Sequence, residues 1–153
     1  MKARTILLTL ALCFVAAAGF ASNPNMGTWK LNEAKSKFAP GSQKNNTAVY
    51  EAAGDSVKVT VDGTGADGKP THTEWTGKFD GKDYPVTGDP TSDARSYKTI
   101  DDHTTALTNK KGDKVVASGR IVVSGDGKSR MVTLSGTDAK GNKVKSTAVY
   151  DKQ

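Results

Sequence analysis

The residues that most resemble chemical machinery are glycine-rich. Gly63-Thr64-Gly65-Ala66-Asp67-Gly68 satisfies G-x-G-x-x-G and follows an alternating apolar stretch. That fingerprint holds a pyrophosphate only where a helix starts at the glycines, because the helix N-terminus supplies the free N–H groups. Here Lys69-Pro70-Thr71-His72-Thr73 follows and leads into another strand-like run. Gly127-Lys128-Ser129 has the ending of a phosphate loop, but Val122 stands where the first glycine belongs and no helix pattern follows. Both segments read as hairpin turns, so no nucleotide cofactor is assigned.

The ionisable residues are no more productive. His72 and His103 are the only histidines and lie far apart, without the carboxylate pattern of a metal site. Asp62 and Asp67 lack the alternating oxygen ligands of a calcium loop. No serine stands in a G-x-S-x-G context, and Asp101-Asp102 falls in a turn, where Asp is favoured for backbone reasons. Cys13 is the single cysteine and reads as one more apolar residue of the leader described next. The chain therefore reads as a non-enzyme, with no catalytic residue, metal or cofactor assigned.

Lys2 and Arg4 open the chain, and Thr5 to Ala18 is apolar apart from Thr5 and Thr9. Gly19 and Ala21 then give a small-x-small exit, which predicts a signal peptide over 1–21 with cleavage after Ala21. The apolar run is shorter than the roughly 20 residues a membrane-spanning helix needs, so no stable membrane insertion is expected. The mature chain, 22–153, has 153 − 21 = 132 residues, enough for one core. It contains no cysteine, which excludes disulfides and thiolate chemistry and points to a bacterial envelope protein, periplasmic or secreted.

Removing Lys2 and Arg4 lowers the formal charge from +6 to +4. Acidic residues lie between the lysines almost everywhere, which describes a solvated surface rather than a polyanion footprint. Arg95, Arg120 and Arg130 are the only mature arginines, and aromatics are few, so no nucleic-acid partner is expected.

What remains is binding by apolar side chains on strands. Val57, Val59 and Val61 alternate with Lys58, Thr60 and Asp62. Thr73, Trp75, Gly77 and Phe79 alternate with His72, Glu74, Thr76 and Lys78, and Val144, Ser146, Ala148 and Tyr150 with Lys143, Lys145, Thr147 and Val149. Period 2 puts each set on one face. Val57, Val59, Val61, Trp75 and Phe79 are the predicted inward set and line the candidate ligand site. Tyr50 and Tyr150 would offer hydroxyls to orient a polar end.

These residues need a sheet to hold them. Strands are predicted over 27–31, 44–52, 56–63, 71–79, 82–87, 94–100, 103–109, 114–124, 129–137 and 143–151, separated by Gly/Asp/Asn/Lys turns. Residues 32–37 are predicted as one helical turn capped by Asn32. Val115 to Val123 is more continuously apolar and is expected to be buried more deeply. The fold class is all-β: an antiparallel up-and-down meander of about 8–10 strands, closed as a barrel to hide its edges. Thr47-Ala48-Val49-Tyr50-Glu51 recurs as Thr147-Ala148-Val149-Tyr150-Asp151, and closure would make the early and final strands neighbours.

Gly27-Thr28-Trp29 resembles the G-x-W opening of lipocalins, whose tryptophan packs across one end of an eight-stranded barrel. The longer stretch Gly27-Thr28-Trp29-Lys30-Leu31-Asn32-Glu33-Ala34-Lys35-Ser36-Lys37-Phe38 is similar to a group of small uncharacterised secreted bacterial proteins, which brings no established activity. So are Asp67-Gly68-Lys69-Pro70-Thr71-His72 and Asp80-Gly81-Lys82-Asp83-Tyr84-Pro85-Val86-Thr87-Gly88. Lipocalins also set an arginine of the last strand against the tryptophan. The last strand here has none, and Arg120 and Arg130 are the residues that could take its place. The resemblance implies a binding module for a small apolar or amphipathic ligand. The rival expectation is a non-catalytic structural or interaction protein of the envelope, its barrel filled by its own side chains.

Overall fold

The computed structural model describes residues 23–138 and 140–153; the predicted signal peptide, 1–21, lies outside them. The described chain forms ten strands: β1 (Gly27–Lys37), β2 (Lys44–Ala53), β3 (Ser56–Thr64), β4 (Pro70–Gly77) and β5 (Tyr84–Thr87), then β6 (Ala94–Thr99), β7 (Thr104–Lys111), β8 (Lys114–Val123), β9 (Ser129–Thr137) and β10 (Lys143–Lys152). Each pairs antiparallel with its sequence neighbours, and β1 closes on β10, so every strand has two partners. This is the closed up-and-down barrel expected from the alternation. Among the described residues no helix is long and apolar enough to cross a membrane.

The turns follow from their residues. In the β2–β3 and β7–β8 hairpins a Gly-Asp pair fills a two-residue loop, between Ala53 and Ser56 and between Lys111 and Lys114. Gly54 and Gly112 take φ of 63° and 57°, and the aspartates do not take positive φ. A left-handed first position is the turn whose twist matches the flanking strands.

Two expectations are corrected. Residues 32–37 are strand, not a helical turn. The Asn32 carboxamide does accept from Lys35 N–H (3.3 Å), as a helix cap would, but the backbone stays extended through a bulge against β10. Ser36 bridges the irregularity, donating its hydroxyl to Asn32 O (2.7 Å) and accepting Val149 N–H (2.9 Å), so pairing with β10 outweighs the local helical preference. Nor is β8 buried throughout: Val115 and Val122 are 50% and 44% exposed. Branched side chains suit a strand on either face, so an apolar run does not by itself mean two buried faces.

Inside, cross-strand partners stack in rows. One row runs Gly27, Tyr50, Val59, Trp75, Val86 across β1 to β5. Another runs Val123, Arg130, Tyr150, Leu31 across β8, β9, β10 and β1. A third, toward the opposite end, runs Arg95, Asn109, Ala117, Gly136, Val144 across β6 to β10. The first two rows carry the bulk, and the third carries two small residues in its centre.

Candidate ligand cavity

The end of the barrel at the start of β1 is shut. Trp29 is fully buried, and its indole N–H donates to Asn25 O (2.7 Å). Asn25, in the lead-in to β1, is buried as well and donates from Nδ2 to Thr105 Oγ1 (3.0 Å). Arg130 crosses this end inside the barrel. Its guanidinium stands 4.7 Å from the rings of Trp29 and Tyr50 and 5.1 Å from that of Tyr150. Arg130, on the penultimate strand, thus occupies the place beside the tryptophan, while Arg120 is exposed.

Next to this end lies a packed aromatic layer. Tyr97 stacks on Phe79 (4.9 Å, 15°) and meets Trp75 (4.7 Å) and Tyr50 (6.3 Å) edge-on. The indole of Trp75 donates to Arg95 O (2.9 Å), tying the layer to β6. Gly77 is required by close approach: a Cβ there would lie 2.5 Å from the Tyr84 ring and 2.7 Å from that of Trp75. Burial pushes the Tyr97 phenol well above its ordinary pKa, with neighbouring Tyr50 adding to the shift.

The other end is open. A cavity of about 860 Å³ enters there, bounded by residues 39–43, Asn45, the 65–72 and 88–91 segments, Arg95, Asn109, Ala117, Leu134 and Val144. A smaller space of about 180 Å³ shares Ala117, Leu134 and Val144 with it and reaches Ala148 and Tyr150. Small side chains make this room: Ala117, Gly136, Ser146 and Ala148 line the smaller space. Burial pushes the Tyr150 phenol up to about 12, with Arg130 opposing the shift and Tyr50 adding to it, so its hydroxyl remains a proton donor at neutral pH.

Polar groups converge on one wall of the mouth. Arg95 donates from Nε to Asn109 Oδ1 (2.8 Å) and from Nη2 to Asp89 Oδ2 (3.2 Å). Asp89 is held by its own loop, accepting Ser92 Oγ–H (2.6 Å), Thr91 N–H (2.9 Å) and Thr91 Oγ1–H (2.7 Å). Gly88 makes that loop possible. Its φ of 76° is left-handed, and a Cβ would run into the His72 carbonyl.

Of the predicted site residues, Tyr50, Val59, Val61, Trp75 and Tyr150 are buried, and Val57 and Phe79 pack half-buried against them. Tyr50, Val59, Trp75 and Phe79 come together in and around the aromatic layer and, like Val57 and Val61, lie off the lining of both spaces, while Tyr150 lines the smaller one. Sequence reasoning missed Arg95, Asn109 and Asp89. Strand phase could have found two of them, because Arg95 shares parity with Tyr97, and Asn109 with Leu107. His72, Asp62, Glu74 and Lys58 form an exposed outer network, with His72 Nδ1 2.6 Å from Asp62 and Lys58 2.9 Å from Glu74.

No family model matches the chain, and no curated relative matches it in sequence. Among solved structures it is similar to a redesigned β-barrel, mFAP1, bound to DFHBI, at 16% identity and TM-score 0.47 over 86% of this chain and 98% of that one. It is also similar to EF1p2_mFAP2b bound to DFHBI, at 11% identity and TM-score 0.51 over 87% of this chain and 97% of that one. The latter likeness shows a shared barrel fold.

Proposed function

We propose that this chain is an exported, non-catalytic binding module that holds a small apolar or amphipathic ligand in the open half of its barrel. The carrying observation is the cavity of about 860 Å³, inside the range of roughly 300–1,000 Å³ typical of small-molecule sites. Its apolar side, Ala117, Leu134 and Val144, suits a hydrocarbon body, and Arg95 and Asn109 offer polar anchoring. The packed aromatic layer is tied to the cavity wall through the Trp75 bond to Arg95 O, which holds that wall in place and lowers the ordering cost of binding. EF1p2_mFAP2b, a barrel of similar shape, is bound to DFHBI, which supports this use of the architecture. Arg130 against Trp29 supports the lipocalin-like reading of the opening motif. The basic-apolar-small order of residues 1–21 supports export to the periplasm or medium.

A second reading, an interaction protein of the envelope, is favoured by Val122 and Met131. They face each other across β8 and β9 on the outer surface, 44% and 47% exposed. Native mass spectrometry of the purified mature protein, followed by titration with an apolar fluorescent probe, separates the two. One small molecule retained per chain, or saturable one-to-one probe binding, supports the binding module. A flat titration with no retained molecule leaves the interaction protein as the better account.

A further inference from the structure

The ionic groups around the cavity constrain what its occupant can be. Arg95 is buried, yet it lines the cavity. A guanidinium carries five N–H donors, and among the described residues Arg95 spends one on Asn109 and one on Asp89, with a third turned to the Tyr97 hydroxyl. Unspent donors beside an apolar cavity call for an acceptor on the ligand. The charge of Arg95, however, is already matched. The Asp89 side chain is as buried as its partner, 5% against 9% exposed, so the two charges face each other away from water. Burial pushes the Asp89 carboxyl up, but the hydrogen bonds of Ser92 and Thr91 and the Arg95 charge hold its pKa below the ordinary 3.8. It is ionised at neutral pH, and the pair is neutral overall.

Lys69, also of the lining, lies 3.9 Å from Asp67, and the His72 ring is turned to the outer network, 2.6 Å from Asp62. Asp138 lines the mouth in addition. A carboxylate entering next to Arg95 would place a second negative charge beside Asp89, and it would lose its own hydration to do so. A carbonyl can accept from the same donors without either cost.

Building on the reading of the open half as a ligand site, we infer that its occupant is an uncharged amphipathic molecule. An amide, ester or ketone carbonyl of that molecule accepts from Arg95, and its hydrocarbon part lies on Ala117, Leu134 and Val144. Asp89 is the specificity-determining residue: it holds the guanidinium in place and repels acids. Asn109 fixes the other edge of the same group.

The test is a competition between matched primary amides and carboxylates of six to twelve carbons for a bound apolar fluorescent probe, at neutral pH. On the unsubstituted protein the amide displaces the probe about ten-fold better than the acid of equal length, a preference worth about 1.4 kcal/mol. Asp89→Asn, which keeps the shape and removes the charge, brings the acid to parity or better and leaves the amide within about two-fold. Arg95→Gln weakens the amide and erases the preference. An acid that binds as well as its amide to the unsubstituted protein overturns the inference, and that comparison needs no variant to fold. A preference unmoved by both substitutions overturns it too. Probe binding that neither series displaces sinks the inference and spares the cavity, whereas no probe binding at all sinks both.

Discussion

The guanidinium of Arg130 lies over the indole of Trp29, 4.7 Å from the centre of its ring. Arg130 is buried, and among the described residues its Nε has no hydrogen-bond partner. Aromatic faces take the place of a counter-ion: Trp29, Tyr50 and Tyr150 all present rings to it. The two tyrosines come from the repeated Thr-Ala-Val-Tyr segments. The repeats lie on β2 and β10, the strands that flank β1, where Tyr50 is level with Gly27 and Tyr150 with Leu31. The internal echo thus supplies both jaws of one clamp around the arginine that covers the tryptophan.

Removing the centre of that clamp should be expensive. Trp29→Ala deletes a fully buried indole and its bond to Asn25, and it leaves Arg130 beside a void. The expected loss is about 3–5 kcal/mol, the range for emptying a large aromatic site. A denaturant melt reads it directly, and an unchanged midpoint would mean that Trp29 does not hold this end shut.

Alternation made the barrel legible because a strand needs only two alternating classes of residue to declare its faces. The same rule, applied as apolar-in and polar-out, concealed the mouth of the cavity. Arg95 and Asn109 are polar and point in; their phase on the strand is the inward one, but only the pairing of β6 with β7 and the fold of the 88–92 loop supply the partners that let them do so. The Asn32 turn failed for a related reason. Its capping bond exists, but the competing strand β10 lies more than a hundred residues away.

Gly88→Ala tests whether the loop positions Asp89. The left-handed φ and the His72 carbonyl both oppose a side chain. A destabilisation of about 1–3 kcal/mol is expected from backbone strain at such a site. The same change should loosen Asp89 from Arg95, so the amide-over-acid preference should shrink in step with the drop in melting temperature. A melt equal to that of the unsubstituted protein would show that the loop adapts freely.

His72 gives a pH signature. The hydrogen bond to Asp62 raises its pKa above the ordinary 6.5, with the charges of Asp62 and Glu74 adding to the effect and desolvation opposing it. A raised folded-state pKa stabilises the protonated form, so the contribution is fully present below pH 6.5 and is lost as pH rises through the raised value. The network is exposed and screened, so the effect on stability is small. An NMR titration of the ring should have its midpoint above 6.5, and Asp62→Asn should lower it. A midpoint at or below 6.5 in the unsubstituted protein contradicts the pairing.

The N-terminus of exported protein is expected to be Ser22. Gly19 and Ala21 present the small side chains that a signal peptidase accepts at −3 and −1. N-terminal sequencing or intact mass of envelope material decides it, and full-length chain confined to the cytoplasm removes the export proposal.

The final prediction concerns where added volume blocks binding. Val59 is almost fully buried, level with Tyr50 on one side and Trp75 on the other. Val59→Phe therefore overpacks the aromatic layer and should cost about 1–3 kcal/mol. Ala117 is different. It lines both the large cavity and the smaller space beneath it, and its neighbour across the strand pair is Gly136. A phenyl ring at 117 can extend into empty volume, so Ala117→Phe should leave the melt within about 1 kcal/mol. It should still weaken an apolar probe by at least about ten-fold, through loss of about 1.4 kcal/mol or more of binding free energy. Trp75 emission reports the outcome, since its indole is tied to Arg95 at the edge of the cavity. The pair of variants separates packing from binding: one should lower stability, the other affinity. If Ala117→Phe binds the probe unchanged while Val59→Phe abolishes binding in a protein that is still folded, the ligand lies among the aromatic side chains and the open half is only a vestibule.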